Sequence, residues 1–293
     1  MIDNYLWEEL ATFAEQKTLA KTAAVLHVTQ PTITRGMQKL EDLLNVELFI
    51  RQPNRIQLTK TGELAAKEAQ KIVALNQQAE EKIFSFYQSQ QTINISFTLP
   101  GPRVLLHSLS EQLPQNVQLE NQLQQGDLSE LLVDRKFSLL LSNQEIFNEQ
   151  ITSELIGVEQ LAVNLNQFMY QASQTSITFK DLEKMSFLVL DDIGPWKDLI
   201  QNNIPDTKFL YLDQAETLSE ISSFSDFPFF STNISSLNPH FKQQNQEKHS
   251  RVTIPISDQV AHVSVYANFL KNQKQTLKPI IDLFLNNWPS IKF

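Results

Sequence analysis

The sequence contains no cysteine, which removes disulfides, thiolate metal ligands, a cysteine nucleophile and thiol redox sensing together. It also lacks any apolar run near the roughly eighteen residues that span a bilayer, and no charged-then-apolar leader opens it. A chain that stays in the cytoplasm and away from membranes is therefore expected. Catalytic signatures are missing as well: no glycine loop ending in Lys-Ser or Lys-Thr, no Gly-x-Ser-x-Gly elbow and no His-Glu-x-x-His pair. His27 falls in a short turn, while His240 and His249 fall in a hydrophilic stretch that reads as a loop. Isolated histidines of this kind imply neither an enzyme nor a metal site. The length of 293 residues suggests two or three domains, and 41% hydrophobic content supports their cores.

What is present concentrates between Thr18 and Arg55. Thr18 to Leu26 reads as a small-residue helix, His27-Val28-Thr29 as a tight turn, and Gln30 to Leu40 as a second, amphipathic helix. This is the pattern of a helix-turn-helix. Ala20, Ala23 and Ala24 are expected to let another helix approach closely, with Leu19 and Leu26 as buried ends. Thr29 is the candidate N-cap, and Pro31 fits the first turn, where the amide it lacks has no intrahelical partner. Ile33, Met37, Leu40 and Leu44 form one buried stripe. The opposite face holds Gln30, Thr32, Thr34, Arg35, Gln38 and Lys39, side chains able to read base edges or hold phosphates. Val46 to Arg51 and Arg55 to Leu58 alternate about Gln52-Pro53-Asn54, which is hairpin chemistry. Arg51 and Arg55 flank the tip of this wing, placed to clamp a sugar-phosphate backbone.

Charge follows the same division. Lys17 to Lys60 carries seven basic side chains against three acidic ones, a net +4, so the rest of the chain carries −13 of the total −9. A basic head on an acidic body fits a nucleic-acid reader that is repelled from its target elsewhere. Before the motif, Leu6, Leu10, Phe13 and Ala14 predict a helix packed beneath it, with Glu8, Glu9 and Glu15 facing solvent. After the wing, Thr59 caps a helix that starts near Lys60, carries Glu63 in its first turn and runs to Tyr87. Ala65, Ala69, Ile72, Asn76, Ala79, Ile83 and Phe86 alternate spacings of four and three along it. Such a seam packs either on its own domain or on a second copy; the single polar Asn76, a register-setting device, favours a homodimer.

Residues Leu10 to Gly62 resemble the N-terminal domain of LysR-type transcriptional regulators. The resemblance rests on Phe13, Ala23-Ala24, Leu26, Gln30-Pro31, Thr34-Arg35, Leu40-Glu41, Leu48-Phe49, Arg51 and Leu58-Thr59 followed by Gly62. Asn45 stands where the family usually has glycine, and Thr18-Leu19 replaces the usual serine-aromatic pair. Together with a homodimer held partly by the long helix, such heads are expected to be paired and to read two half-sites separated along the DNA.

Beyond a polar hinge, Gln88 to Thr92, strands alternate with helices. Strands are predicted at Ile93 to Phe97, Val117 to Leu123, Phe137 to Leu141, Phe187 to Leu190, Phe209 to Leu212 and Phe227 to Phe230, and an extended crossing at Leu155 to Leu165. Helices are predicted at Val104 to Leu113, Leu128 to Asp134, Thr178 to Lys184, Pro195 to Asn203, Ala215 to Ser222 and Thr276 to Trp288, with a returning crossover at Val260 to Ala267. This layout resembles the family's effector domain, which is built like a periplasmic binding protein. Ser138 stands where that domain commonly has aspartate.

The expected fold class is thus α+β multidomain: a winged helix-turn-helix over 1–58, a linker helix and hinge over 59–91, and a two-lobed α/β effector domain over 92–293. Lobe one covers about 92–161 and 268–293, and lobe two about 162–267. Ligands of open α/β lobes sit beyond the carboxyl ends of the strands, against helix N-termini. By that rule Thr98, Pro100, Gly101, Gln125, Ser142 and Asn143 line one side of a cleft, and Asp191, Asp192, Ser231 and Thr232 the other. Arg103 is either a contact for an anionic effector or a surface charge.

The reading is a sequence-specific DNA-binding regulator of transcription, modulated by a small-molecule effector between the lobes, with no resident cofactor. Its expected partners are double-stranded DNA, further copies of itself as a dimer or dimer of dimers, and the transcription machinery. A rival reading is a solute-binding module whose N-terminal helices make protein contacts only; Arg35, Arg51 and Arg55 discriminate the two.

Overall fold

The computed structural model describes residues 1–52, 55–238, 241 and 251–289, without the side chain of Arg55. The chain divides into two units, Met1–Phe84 and Ser85–Phe293. The wing tip Pro53-Asn54 and both His240 and His249 lie outside the described residues. Among the described residues no helix is long and apolar enough to cross a membrane.

The first unit contains α1 (Asn4–Gln16), α2 (Leu19–Val25), α3 (Gln30–Leu44), β1 (Phe49–Gln52), β2 (Arg55–Leu58) and the start of α4 (Lys60–Ser89). The Thr18 hydroxyl caps α2 by accepting the Lys21 amide at 3.3 Å. Asn45 ends α3 with φ 54°, a conformation that Asn adopts at lower cost than most side chains. Leu6, Leu10, Phe13, Ile33, Met37, Leu40, Leu48 and Phe49 close the core, with Phe13 and Phe49 edge to face at 5.5 Å.

Several expectations are corrected here. Thr22 and Ala23 are the buried positions of α2, whereas Ala20 and Ala24 are exposed. The Thr29 hydroxyl bonds that of Thr32 at 2.9 Å and makes no bond to the helix backbone. Glu9 is buried, because α1 lays it across Gly36 of α3, where a Cβ would stand 1.7 Å from its Oε2. Only the start of the predicted α4 seam is taken up by the head: Gly62, Ala66 and Ala69 are buried, and Ala65 and Val73 pack on the head's own core. Ala65 and Ala69 are therefore core positions of the head.

In the second unit β3 (Ile93–Phe97) pairs in parallel with β4 (Val117–Leu123) and β5 (Leu139–Ser142), and β7 (Ser186–Leu190) pairs in parallel with β8 (Lys208–Leu212) and β9 (Phe229–Thr232). Two antiparallel strands join the sets: β6 (Ile151–Asn166) and β11 (His262–Leu270). β6 is 16 residues long, roughly 50 Å. Its first part pairs with β11, and its far end with β9 and with β10 (Arg251–Pro255), a strand the sequence reading omitted.

The helices are α5 (Pro100–Ser108), α6 (Leu128–Val133), α7 (Trp196–Asn203), α8 (Ala215–Phe224) and α9 (Lys274–Asn287). α5 begins earlier than predicted because Pro100 and Pro102 occupy its first turn, where a missing amide costs little. The helix predicted at Thr178 to Lys184 is a short 3₁₀ turn, Phe179–Leu182. Four fully buried residues make β5 a central strand, parallel to β3 but antiparallel to β11 on its other side, where the sequence predicts a buried parallel strand.

Candidate nucleic-acid interface and ligand cavity

All of Gln30, Pro31, Thr32, Thr34, Arg35, Gln38 and Lys39 are exposed on α3, while Ile33, Met37 and Leu40 hold the opposite face in the core. Their side chains are not equally available. The Thr34 hydroxyl donates back to the Gln30 carbonyl at 3.1 Å, and the Gln38 amide donates to Asp42 at 3.0 Å. The Lys39 ammonium donates to Tyr5 of α1 and to Asp3 just before that helix, each at 2.9 Å, and these contacts hold it above the usual lysine range. Among the described residues Arg35 has no ion-pair partner.

The wing is fastened by Glu41. This buried carboxylate accepts the amides of Leu48 at 2.7 Å and Phe49 at 2.9 Å, and the Arg51 guanidinium at 2.6 Å. Arg51 is therefore first a structural cation that anchors β1, with 43% of its side chain still exposed. A groove of about 790 Å³ runs between Gln30 and Thr34 on α3, the start of α2 and the wing residues Gln52, Ile56 and Gln57.

The second unit holds a cavity of about 310 Å³ between its parallel strand sets. Pro100, Gly101, Asp192 and Thr232 line it, as expected from the strand-end rule. Thr98, Gln125, Ser142 and Asn143 are not among its lining residues. Ser142 is fully buried, with its hydroxyl donating to the Gln144 carbonyl and accepting from Asn268, so it locks a loop. Arg103 lines the cavity, with its guanidinium donating to Asp192 at 3.1 Å and to the Asn121 carbonyl.

Sequence reasoning missed the floor of this cavity. Glu159 of β6 is wholly buried, and the Gly101 amide, Trp196 and Thr232 lie around its carboxyl close enough to favour its charged form. None of them reaches hydrogen-bond geometry to either oxygen, and the indole N–H of Trp196 is also unpartnered. Burial dominates and pushes the carboxyl up to about 7. Gly101 is required at this point, because a Cβ there would stand 2.4 Å from the Glu159 carboxyl carbon. A signal existed in the sequence: a glutamate just before the apolar run Leu161-Ala162-Val163, in a strand predicted to cross between lobes.

The family profile described as "Bacterial regulatory helix-turn-helix protein, lysR family" matches residues 7–63. The HTH-type transcriptional regulator YwqM of Bacillus subtilis is 27% identical over 232 residues, 72% of this chain and 75% of that protein. A probable RuBisCO transcriptional regulator of Emiliania huxleyi is 29% identical over 195 residues, 63% of this chain and 62% of that one. Among solved structures, Vibrio fischeri DarR in complex with DNA aligns over 96% of this chain and 98% of its own with a TM-score of 0.58. At 16% identity that likeness concerns the fold.

Proposed function

We propose that this chain, a DNA-binding transcriptional regulator of the LysR family and not an enzyme, reads duplex DNA through α3 and the wing, works as a homo-oligomer, and responds to a small molecule bound in the cavity of its second unit. The observation that carries the DNA reading is the exposed row Gln30, Thr32, Thr34 and Arg35 beside a hairpin. A helix face of this kind is groove-sized and offers donors and acceptors to base edges.

Because Arg35 is the cation of α3 without an ion-pair partner among the described residues, Arg35→Ala is expected to weaken operator binding about tenfold and to lower the salt slope by about one. Lys39→Ala is expected to do less, since that ammonium is already engaged. Titrations across a salt series measure both. Unchanged affinity and slope in the Arg35→Ala, Gln30→Ala double variant would overturn the assignment of α3 to DNA.

Association is supported by the apolar face that α4 leaves uncovered. Leu64, Leu75 and Phe86 recur eleven residues apart, three helical turns, and Ile72 and Ile83 repeat the same step beside them. Leu75 is 63% and Ile83 71% exposed, an unusual concentration of apolar surface for a helix facing only water. We expect the full chain to sediment as a dimer or larger at micromolar concentration, and Leu75→Asp with Ile83→Asp to shift it toward monomer. A wild-type monomer under those conditions contradicts the reading.

A further inference from the structure

The charges around the cavity of the second unit are unbalanced. Glu159, Asp192 and Asp213 line it on the acidic side and Arg103 on the basic side. That guanidinium is already held by Asp192 and the Asn121 carbonyl. The N-terminus of α5, which by itself attracts anions, faces the chain's own Glu159 carboxyl. A ligand carboxylate arriving there meets another carboxyl group and no free cation, and to gain Arg103 it must break the pair with Asp192. Both Glu159 oxygens are buried without a formed hydrogen bond, the Gly101 amide, Trp196 and Thr232 lying near but out of bonding geometry, so a better-placed donor that reaches them from the cavity removes a standing energetic cost. Leu161, Leu190 and Phe229 make much of the remaining wall apolar.

We infer that this cavity takes a cationic organic ligand, a primary amine or amidine on a compact apolar body, whose N–H groups are received by Glu159. The inference rests on the reading of this cavity as the effector site. It replaces the anionic effector that Arg103 suggests on its own.

Thermal unfolding of the full chain tests it, with 2-phenylethylamine and benzamidine compared against 3-phenylpropionate and benzoate at equal millimolar concentration. The two cations are expected to raise Tm and the two carboxylates to leave it unchanged. Glu159→Gln is expected to weaken cation binding about tenfold, which separates the cavity from general attraction to an acidic surface. If that variant does not fold, the wild-type preference decides, and Asp213→Asn, at an exposed position on the cavity rim, is expected to weaken the cations about threefold. Stabilisation by the carboxylates alone overturns the charge class and leaves the cavity a ligand site. Cation binding that is undiminished in Glu159→Gln overturns the role of that residue. No response to any of the four overturns both the charge class and the effector reading.

Discussion

Glu41→Ala is expected to destabilise the helix-turn-helix head by about 3–5 kcal/mol, enough to leave a large fraction of it unfolded. The carboxylate fixes the wing to α3 by accepting two backbone amides, of Leu48 and Phe49, and the Arg51 guanidinium. Leu48 and Phe49 are themselves buried, so their amides cannot turn to water once the acceptor is gone. Each unsatisfied buried donor costs about 1–3 kcal/mol, and the orphaned guanidinium adds less because it is partly exposed. Arg51→Ala is the informative partner. It leaves both amide bonds to Glu41 in place, so its stability cost is expected to be about 1 kcal/mol. Denaturant titrations of the two variants, followed by near-ultraviolet circular dichroism, measure the difference. Equal costs would mean that the ion pair, and not the backbone amides, holds the wing.

Glu9→Gln is expected to act in the opposite direction, and only above acidic pH. Burial against Gly36, with a smaller contribution from the Glu8 charge, pushes the Glu9 carboxyl up to about 7 from an ordinary value of 4.5. The folded state therefore binds this proton more tightly than the unfolded chain does. No cost is present below the unfolded value. The penalty grows as pH rises from about 4.5 to about 7 and is constant above that window. A shift of this size is worth at most about 3 kcal/mol, and replacement by the neutral amide is expected to recover about 2 kcal/mol near pH 8 and almost nothing near pH 4. Glu159 is displaced in the same direction in the second unit and is present in both proteins, so the difference between wild type and variant isolates Glu9. Thermal melts across this range check it; a pH-independent difference would mean that the amide acts through packing.

Glu9 also shows where reading by periodicity stops. On α1 it neighbours Leu10 and Phe13, and an amphipathic count leaves it at the wet edge of the helix. Gly36 opens a gap on α3 that only the crossing of the two helices reveals. The same holds for Lys39, Arg51 and Arg35. As residue types they are interchangeable cations on a DNA-facing surface; in the fold two are engaged by the protein itself and one is not.

By itself the sequence determined the local elements. Alternation with a period of 3.6 or 2, the proline in the first turn of α3, the tolerant Asn45 and the Thr59 cap are properties of neighbouring residues. They therefore yield the winged head, the long helix and most of the strands and helices in order, while missing β10, the start of α5 and the 3₁₀ character of Phe179–Leu182. Tertiary structure alone decided which polar groups are available. It tied Ser142 to Asn268 across the sheet, brought Gly101 and Trp196 to Glu159, and turned Ala69 of α4 inward while leaving Leu75 and Ile83 uncovered. Burial and pairing depend on which element arrives from far along the chain, and a local pattern specifies the face each element presents without specifying what meets it.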